Sequence, residues 1–369
     1  MDQLTNPFKF GRIVTGQEFV DREAEIAQIV KNLRSGVNVV LYSHRRMGKS
    51  SLLAEVMDRH RKEFVFVYVD LYGLTNKTRL VEAFMSALVS SAYGSLDKVV
   101  AGISEVLKGS RFRVVLNAKG EPGIEFSMAE PTVPEIQDIL DLPERIAKKK
   151  GRRLVVMFDE FQEIGALDGT QLLKAMRSRI QTHKHVTYVF AGSKRHLLLE
   201  LFEESEGAFY KSARPMELGP IPREDFVRFL VKRFRAAGGL LPPELAGRIV
   251  ETAGGNSYYV QQLAYELFDI SPRPTPADLE KAVSGILAHQ SPAFSFLWDS
   301  VKSQLQRRYL LAAAKEPTGP RGAEFVKRYH LKSAAHLQRC AKQLDARGIT
   351  ERGRIVDPVL ALWLRGLAE

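Results

Sequence analysis

The chain has 369 residues, 45% hydrophobic and 26% charged, with a formal net charge of +11; this suits a globular protein of about two or three domains, each able to bury a core. No apolar run approaches the ~20 residues that span a bilayer, and Met1-Asp2-Gln3-Leu4-Thr5-Asn6-Pro7 lacks the basic and apolar regions of a secretory signal. The single cysteine, Cys340, excludes an internal disulfide and fits a reducing, cytoplasmic setting, while the positive charge admits a polyanionic partner.

In chain order, residues 7–36 form an entry segment containing Phe8, Phe10 and Phe19-Val20-Asp21-Arg22-Glu23. An amphipathic helix follows, with Ile26, Ile29, Val30 and Leu33 on its apolar face and Asp21 as its expected N-cap. Val37–Tyr42 reads as an apolar strand, Ser43-His44-Arg45-Arg46-Met47-Gly48-Lys49-Ser50 as a tight loop, and a helix opens at Ser51. The loop meets the pattern G-x-x-x-x-G-K-[ST] except at Ser43, a position where glycine permits positive φ or a close approach. Strand, loop and helix in this order cradle phosphates. Backbone N–H groups and the positive helix end surround the anion, Lys49 neutralises its β/γ charge, and the Ser50 hydroxyl faces Mg²⁺.

A second buried strand is expected over Phe64–Asp70 and a helix over Thr78–Ala92. The longer stretch that follows predicts a helix over Leu96–Lys108, a hairpin pairing Phe112–Leu116 with Ile124–Phe126, and a helix over Val133–Lys149. Leu154–Phe158 is too uniformly apolar to be half exposed and reads as a central parallel strand. It ends in Asp159-Glu160, at the strand end where open α/β sheets bind ligands. In a Walker B role, Asp159 holds Mg²⁺ through water and Glu160 polarises the attacking water; the plainer alternative is a helix cap. Gln171–Gln181 is helical and carries Arg177, either a solvated residue or an arginine reaching a neighbouring subunit's nucleotide. Val186–Ala191 is another strand, and Ser193 beyond it is either a polar sensor near the γ-phosphate or a cap for the helix over Leu197–Phe202.

Pro215–Leu218 supplies a last strand, and Gly219-Pro220-Ile221-Pro222 breaks the pattern. Short helices alternate with caps over 223–285, around Gly254-Gly255-Asn256, and one over Pro276–His289 closes a small helical lid. Helices over Ser303–Lys315, Arg321–Tyr329 and Ser333–Arg347, then a hairpin over Gly348–Val356, have the order of a winged helix-turn-helix. From Gly285 on there are 14 Lys and Arg against 7 Asp and Glu, so this module carries +7 of the net charge. Lys332, His336, Arg339, Arg352 and Arg354 are its candidate nucleic-acid contacts.

The whole order resembles the archaeal-type AAA+ ATPases of the STAND class, relatives of origin-recognition initiators. The resemblance rests on Phe19-Val20-Asp21-Arg22-Glu23, Arg45-Arg46-Met47-Gly48-Lys49-Ser50-Ser51-Leu52, Asp159-Glu160-Phe161-Gln162, Ala191-Gly192-Ser193, Gly254-Gly255-Asn256 and Asp357-Pro358. It implies an α/β P-loop core over 1–218 with a parallel sheet, a helical lid over 219–288 and a C-terminal winged helix over 289–369. It also implies slow hydrolysis of ATP with Mg²⁺. Nucleotide contacts carried over are Phe19 and Val20 beside the adenine, Arg22, Arg45, Arg46, Met47, Gly48, Lys49, Ser50, Ser51 and Asn256. Three readings stay open: an ATP/ADP switch that repositions the winged helix, a duplex-DNA binder with ATP as a structural clamp, and a scaffold for a protein partner or self-association.

Overall fold

The computed structural model describes residues 5–93, 112–116, 122–126, 130–316, 322–329, 331 and 334–367. The chain divides into two compact units. The first comprises Ile13–Gly16 and Arg22–Gly219 and is built on a five-stranded sheet of order β2-β5-β6-β1-β7. Its strands are β1 (Val39–Tyr42), β2 (Val65–Asp70), β5 (Leu154–Asp159), β6 (Val186–Gly192) and β7 (Arg214–Glu217), and every pairing is parallel. Asp70 lies opposite Asp159, and Tyr42 opposite Gly192. The C-terminal ends of the strands therefore share one edge, the edge where such sheets bind ligands.

Packed with the sheet are α1 (Glu23–Arg34), α2 (Lys49–His60), α3 (Lys77–Tyr93), α4 (Val133–Leu140), α5 (Leu142–Lys150), α6 (Gly165–Ile180) and α7 (Arg195–Phe202). Every residue of β5 and β6 is buried, as crossover helices over a parallel sheet require. Phe158 stands at the centre, stacked on Phe84 at 6.0 Å, Phe190 at 6.1 Å and Tyr188 at 6.4 Å. The hairpin of β3 (Phe112–Leu116) and β4 (Pro122–Phe126) pairs Phe112 with Phe126 and Leu116 with Pro122. Its connection and the helix expected over Leu96–Lys108 lie outside the described residues.

Several elements differ from the expected bounds. Helix α2 starts two residues earlier, so Lys49 and Ser50 sit in its first turn. Arg22, not Asp21, precedes α1 and makes no side-chain cap bond. The helix expected over Val133–Lys149 is two helices meeting at Asp141, because Pro143 fits only the first turn of a new helix. β1 begins at Val39, since Asn38 is turned to side-chain work: its amide donates to Ser212 O and its Oδ1 accepts from Tyr188 N.

The second unit takes residues 1–12 and 17–21 together with 220–369. Helices α8 (Arg223–Ala236), α9 (Pro243–Thr252), α10 (Ser257–Ile270) and α11 (Pro276–Ser300) share one core with Phe8 and Val20. Phe8 lies 5.2 Å from Phe234, and Phe10 meets Tyr265 edge-on at 5.3 Å. α11 does not stop near His289: it runs through Pro292 to Ser300, held by buried Phe294 further along the face of Leu279, Ala282 and Ile286. Then come α12 (Gln304–Lys315), α13 (Gly322–Arg328), α14 (Ala334–Ala346), the hairpin β8 (Thr350–Glu351) and β9 (Arg354–Ile355), and α15 (Pro358–Leu367). Ser303 caps α12 by accepting from Gln306 N. Arg352 (φ 50°) and Gly353 (φ 82°) are both left-handed, the requirement of a type I′ hairpin turn. Ser333, the expected cap of α14, lies outside the described residues. Among the described residues no helix is long and apolar enough to cross a membrane.

Removing the central ring tests this packing. Phe158→Ala should destabilise the sheet unit by about 3–5 kcal/mol, read as a lower urea midpoint; an unchanged midpoint would mean that the stacked ring carries no stability.

Candidate active site at the edge of the sheet

The loop between β1 and α2 curls through two left-handed residues, Arg46 at φ 66° and Gly48 at φ 90°; curls of this kind turn successive N–H groups into an anion-binding concavity. Ser43 is not among the left-handed residues, so glycine's freedom is not needed there. Ser43 is buried and donates its hydroxyl to His44 O at 2.9 Å. Arg45 and Arg46 are exposed, Met47 buried. Arg22 is itself buried, and its guanidinium donates to Met47 O at 3.3 Å and Gly219 O at 2.8 Å. It thus braces the loop from behind. Ser51 accepts from Val14 N at 3.2 Å and Glu55 from Gly16 N at 2.8 Å, which pins residues 13–16 against α2.

Lys49 is 6% exposed, and among the described residues its ion-pair partner is Glu160 Oε1 at 3.6 Å. An ammonium carries three donors, so this single long pairing leaves capacity for an anionic oxygen. Asp159 is 2% exposed. Its Oδ2 accepts from Ser50 Oγ at 2.6 Å and from Tyr68 OH at 2.8 Å, and its Oδ1 from Glu160 N at 3.0 Å. A hydroxyl beside a carboxylate is the hard oxygen donor set that suits Mg²⁺.

Glu160 occupies a left-handed conformation (φ 51°, ψ 43°) and makes no capping bond with its side chain; for a residue other than glycine, such a conformation is held by its surroundings. Its Oε2 accepts from Ser193 Oγ at 2.8 Å, from Ser193 N at 3.3 Å and from Gln162 Nε2. Burial pushes this carboxyl up, but the charge of Lys49 and the bonds from Gln162 and Ser193 outweigh it and hold Glu160 below the usual carboxylate range. It therefore stays ionised at neutral pH. Ser193 does not cap the next helix, whose N-cap is Lys194 without a side-chain bond.

Sequence reasoning gave no site role to four neighbours. Tyr68 on β2 has its phenol pushed well up, by burial first and then by the charge of Asp159. Asp70, two residues on, is also raised, by burial and then by Asp159 and Glu160, against the bond from Tyr72 N and the charge of Lys49. Gln162 is 6% exposed, and among the described residues its Oε1 has no hydrogen-bond partner. Arg195 stands over the Tyr42 ring at 5.3 Å and lies 3.7 Å from Glu217. Only the alternation of β2 could have pointed to Tyr68, which shares a strand face with Asp70.

Arg177 and, in the second unit, Asn256 have partners of their own. Arg177 bonds Gln181 and the Tyr210 carbonyl, both at 3.4 Å. Phe19, Val20 and Asn256 belong to the second unit. Asn256 accepts from Tyr258 N and Tyr259 N as the N-cap of α10, after left-handed Gly254 and Gly255. In that unit His336, Arg339, Arg352 and Arg354 are all exposed, and Lys332 lies outside the described residues. Asp357 accepts from Val359 N and Leu360 N at the start of α15 and from Tyr259 OH at 2.6 Å.

A parallel sheet with a Gly-Lys-Ser loop and an Asp-Glu pair on one edge defines a P-loop ATPase core of the AAA+ fold. The family described as an ATPase domain predominantly from Archaea matches residues 19–263. The chain belongs to that family and is an ATPase. Among solved structures it is similar to a Walker-type ATPase of Pyrococcus abyssi, at 19% identity and TM-score 0.69 over 97% of this chain and 99% of that one. It is also similar to the ORC2 protein of Aeropyrum pernix, solved as ADPNP-ADP complexes, at 14% identity and TM-score 0.55 over 98% and 100%. At these identities the likeness is one of fold. A search of curated proteins gives no significant match.

Gly192 ties the strand edge to this cluster. A Cβ there would fall 2.0 Å from Gln162 Oε1 and 2.7 Å from Leu198 Cδ1, so Gly192→Ala must push Gln162 off Glu160. Turnover of ATP should fall at least tenfold while nucleotide affinity changes less than threefold; wild-type turnover would show that Gln162 does not hold Glu160 for catalysis.

Proposed function

We propose that the chain is a STAND-type ATPase switch, in which binding and slow hydrolysis of Mg·ATP at the sheet edge control the helical unit. The observation that carries this reading is the meeting of Lys49, Ser50, Asp159, Glu160 and Ser193 at one end of a parallel sheet. In it, Lys49 and the N–H groups of the loop, from Arg45 to Ser51, bind the phosphates, and Arg22 keeps the loop in shape. Ser50 and Asp159 hold Mg²⁺, which when bound neutralises charge on the phosphate oxygens. Glu160, kept ionised, accepts the proton of an attacking water, and Ser193 senses the γ-phosphate while orienting Glu160. Phe19, Val20 and Asn256 are assigned to the adenine side. Arg177 has no role within its own site in this reading; it is assigned to the nucleotide of a second copy.

Three helices and a two-stranded antiparallel hairpin support reading α12–α14 with β8 and β9 as a winged helix, with α8–α11 as the lid. A second reading, duplex-DNA binding by that module, is favoured by the exposure of His336, Arg339, Arg352 and Arg354 on α14 and the hairpin.

Lys49→Ala should weaken Mg·ATP binding at least tenfold by calorimetry, and equal affinity would sink the assignment of the loop. Glu160→Gln should bind ATP as the wild type does and hydrolyse it at least a hundredfold more slowly; wild-type turnover would move the base elsewhere.

For the DNA reading, the double variant Arg339→Ala, Arg354→Ala should bind duplex DNA more weakly. It should also lower the slope of log affinity against log salt by about two units. Absence of any wild-type gel shift at low salt would end that reading.

A further inference from the structure

Asp159 faces a physical difficulty. An ionised carboxylate that is 2% exposed costs several kcal/mol to bury unless hydrogen bonds replace its water. Three donors do so here, and two of them, Ser50 and Glu160 N, come from residues that already belong to the ATP site. The third comes from outside it. Tyr68 stands on β2 opposite Met157, and its ring carries the phenol two residues along the neighbouring strand to reach Asp159 Oδ2 at 2.8 Å. Packing alone does not require that hydroxyl, since a phenylalanine would fill the same half-buried place. On the structure, the hydroxyl serves the carboxylate: Oδ2 is shared between Ser50 and Tyr68, so Tyr68 keeps that oxygen anchored whatever the Ser50 hydroxyl does.

We infer that Tyr68 is a positioning residue that fixes the Asp159 carboxylate and thereby sets how tightly the site takes up a divalent cation. The inference rests on the Mg·ATP reading above. Partners outside the ligand sphere that orient a metal-binding carboxylate are worth about 10–100-fold in metal affinity. Tyr68 touches neither nucleotide nor water in this account; it acts through Asp159.

The experiment compares full-length wild type with Tyr68→Phe. A fluorescent ATP analogue is titrated first in EDTA and then at fixed concentration with rising Mg²⁺, and Mn²⁺ uptake is followed separately by electron paramagnetic resonance. Affinity in EDTA should agree within threefold, whereas half-saturation by Mg²⁺ and by Mn²⁺ should rise about tenfold or more. Unchanged half-saturation for both metals overturns the inference and leaves the Mg·ATP reading standing. A wild type whose nucleotide binding ignores metal overturns both. Should the Phe variant lose its circular-dichroism signal, Tyr68→Met, which fills the half-buried place without a donor, takes its place: half-saturation raised about tenfold supports the role, and half-saturation within threefold of wild type overturns it.

Discussion

The hydrogen bond from Ser50 to Asp159 joins the first turn of α2 to the end of β5, and the rest of the site is arranged around it. It can form only if the loop after β1 closes tightly, and the left-handed Gly48 lets α2 begin at Lys49 directly against the sheet. It also requires β5 to be central, with a carboxylate at its last position. Once Asp159 is buried and satisfied, the chain must turn sharply at Glu160, and that left-handed turn presents the next carboxylate to Lys49 and Ser193. The buried Asp159 and the half-buried Glu160 are compensated in sequence: Ser50, Tyr68 and Glu160 N on Asp159, then Lys49, Gln162 and Ser193 on Glu160. Removing a single member leaves a buried charge short of partners, which costs more than the bond that is lost.

Much of this was legible in the residues because the relevant chemistry is local. A glycine before a lysine and a serine, after an apolar strand, constrains backbone and charge within a dozen positions. Leu154–Phe158 announces a doubly covered strand by its composition alone, and Asp159-Glu160 follow at its end. The order of strands and the place of Tyr68 beside Asp159 were not legible, because they depend on pairings across the chain: Tyr68 lies 91 residues from Asp159. A tyrosine in an apolar strand gives no sign of which strand will lie beside it. Ser43 teaches the reverse: it departs from the motif where glycine permits positive φ, yet the backbone there needs none.

The helical unit shows a further limit of motif reading. Gly254-Gly255-Asn256 resembles a nucleotide-contacting turn, and the same residues also do structural work. Two left-handed glycines end α9, and Asn256 starts α10 by satisfying two N–H groups that the helix leaves open. Asp357 does the same for α15 and links it to Tyr259 on α10. Such residues brace the joints of the unit, so a signature shared with a family is here also a mechanical fastening.

The path of the chain between the units carries one more consequence. Residues 5–12 and 17–21 belong with 220–367, while 13–16 belong with the sheet, so the backbone changes unit after residues 12, 16, 21 and 219. A nick at 219–220 therefore does not sever the helical unit from its own N-terminal segment in space: Phe8 and Val20 remain lodged in its core through non-covalent packing. The two fragments of a nicked chain would co-elute, and a truncation that began at residue 220 would strip apolar partners from Phe234 and Phe268. The unit is discontinuous in sequence, and its minimal expressible form needs both pieces, supplied in one polypeptide or together in trans.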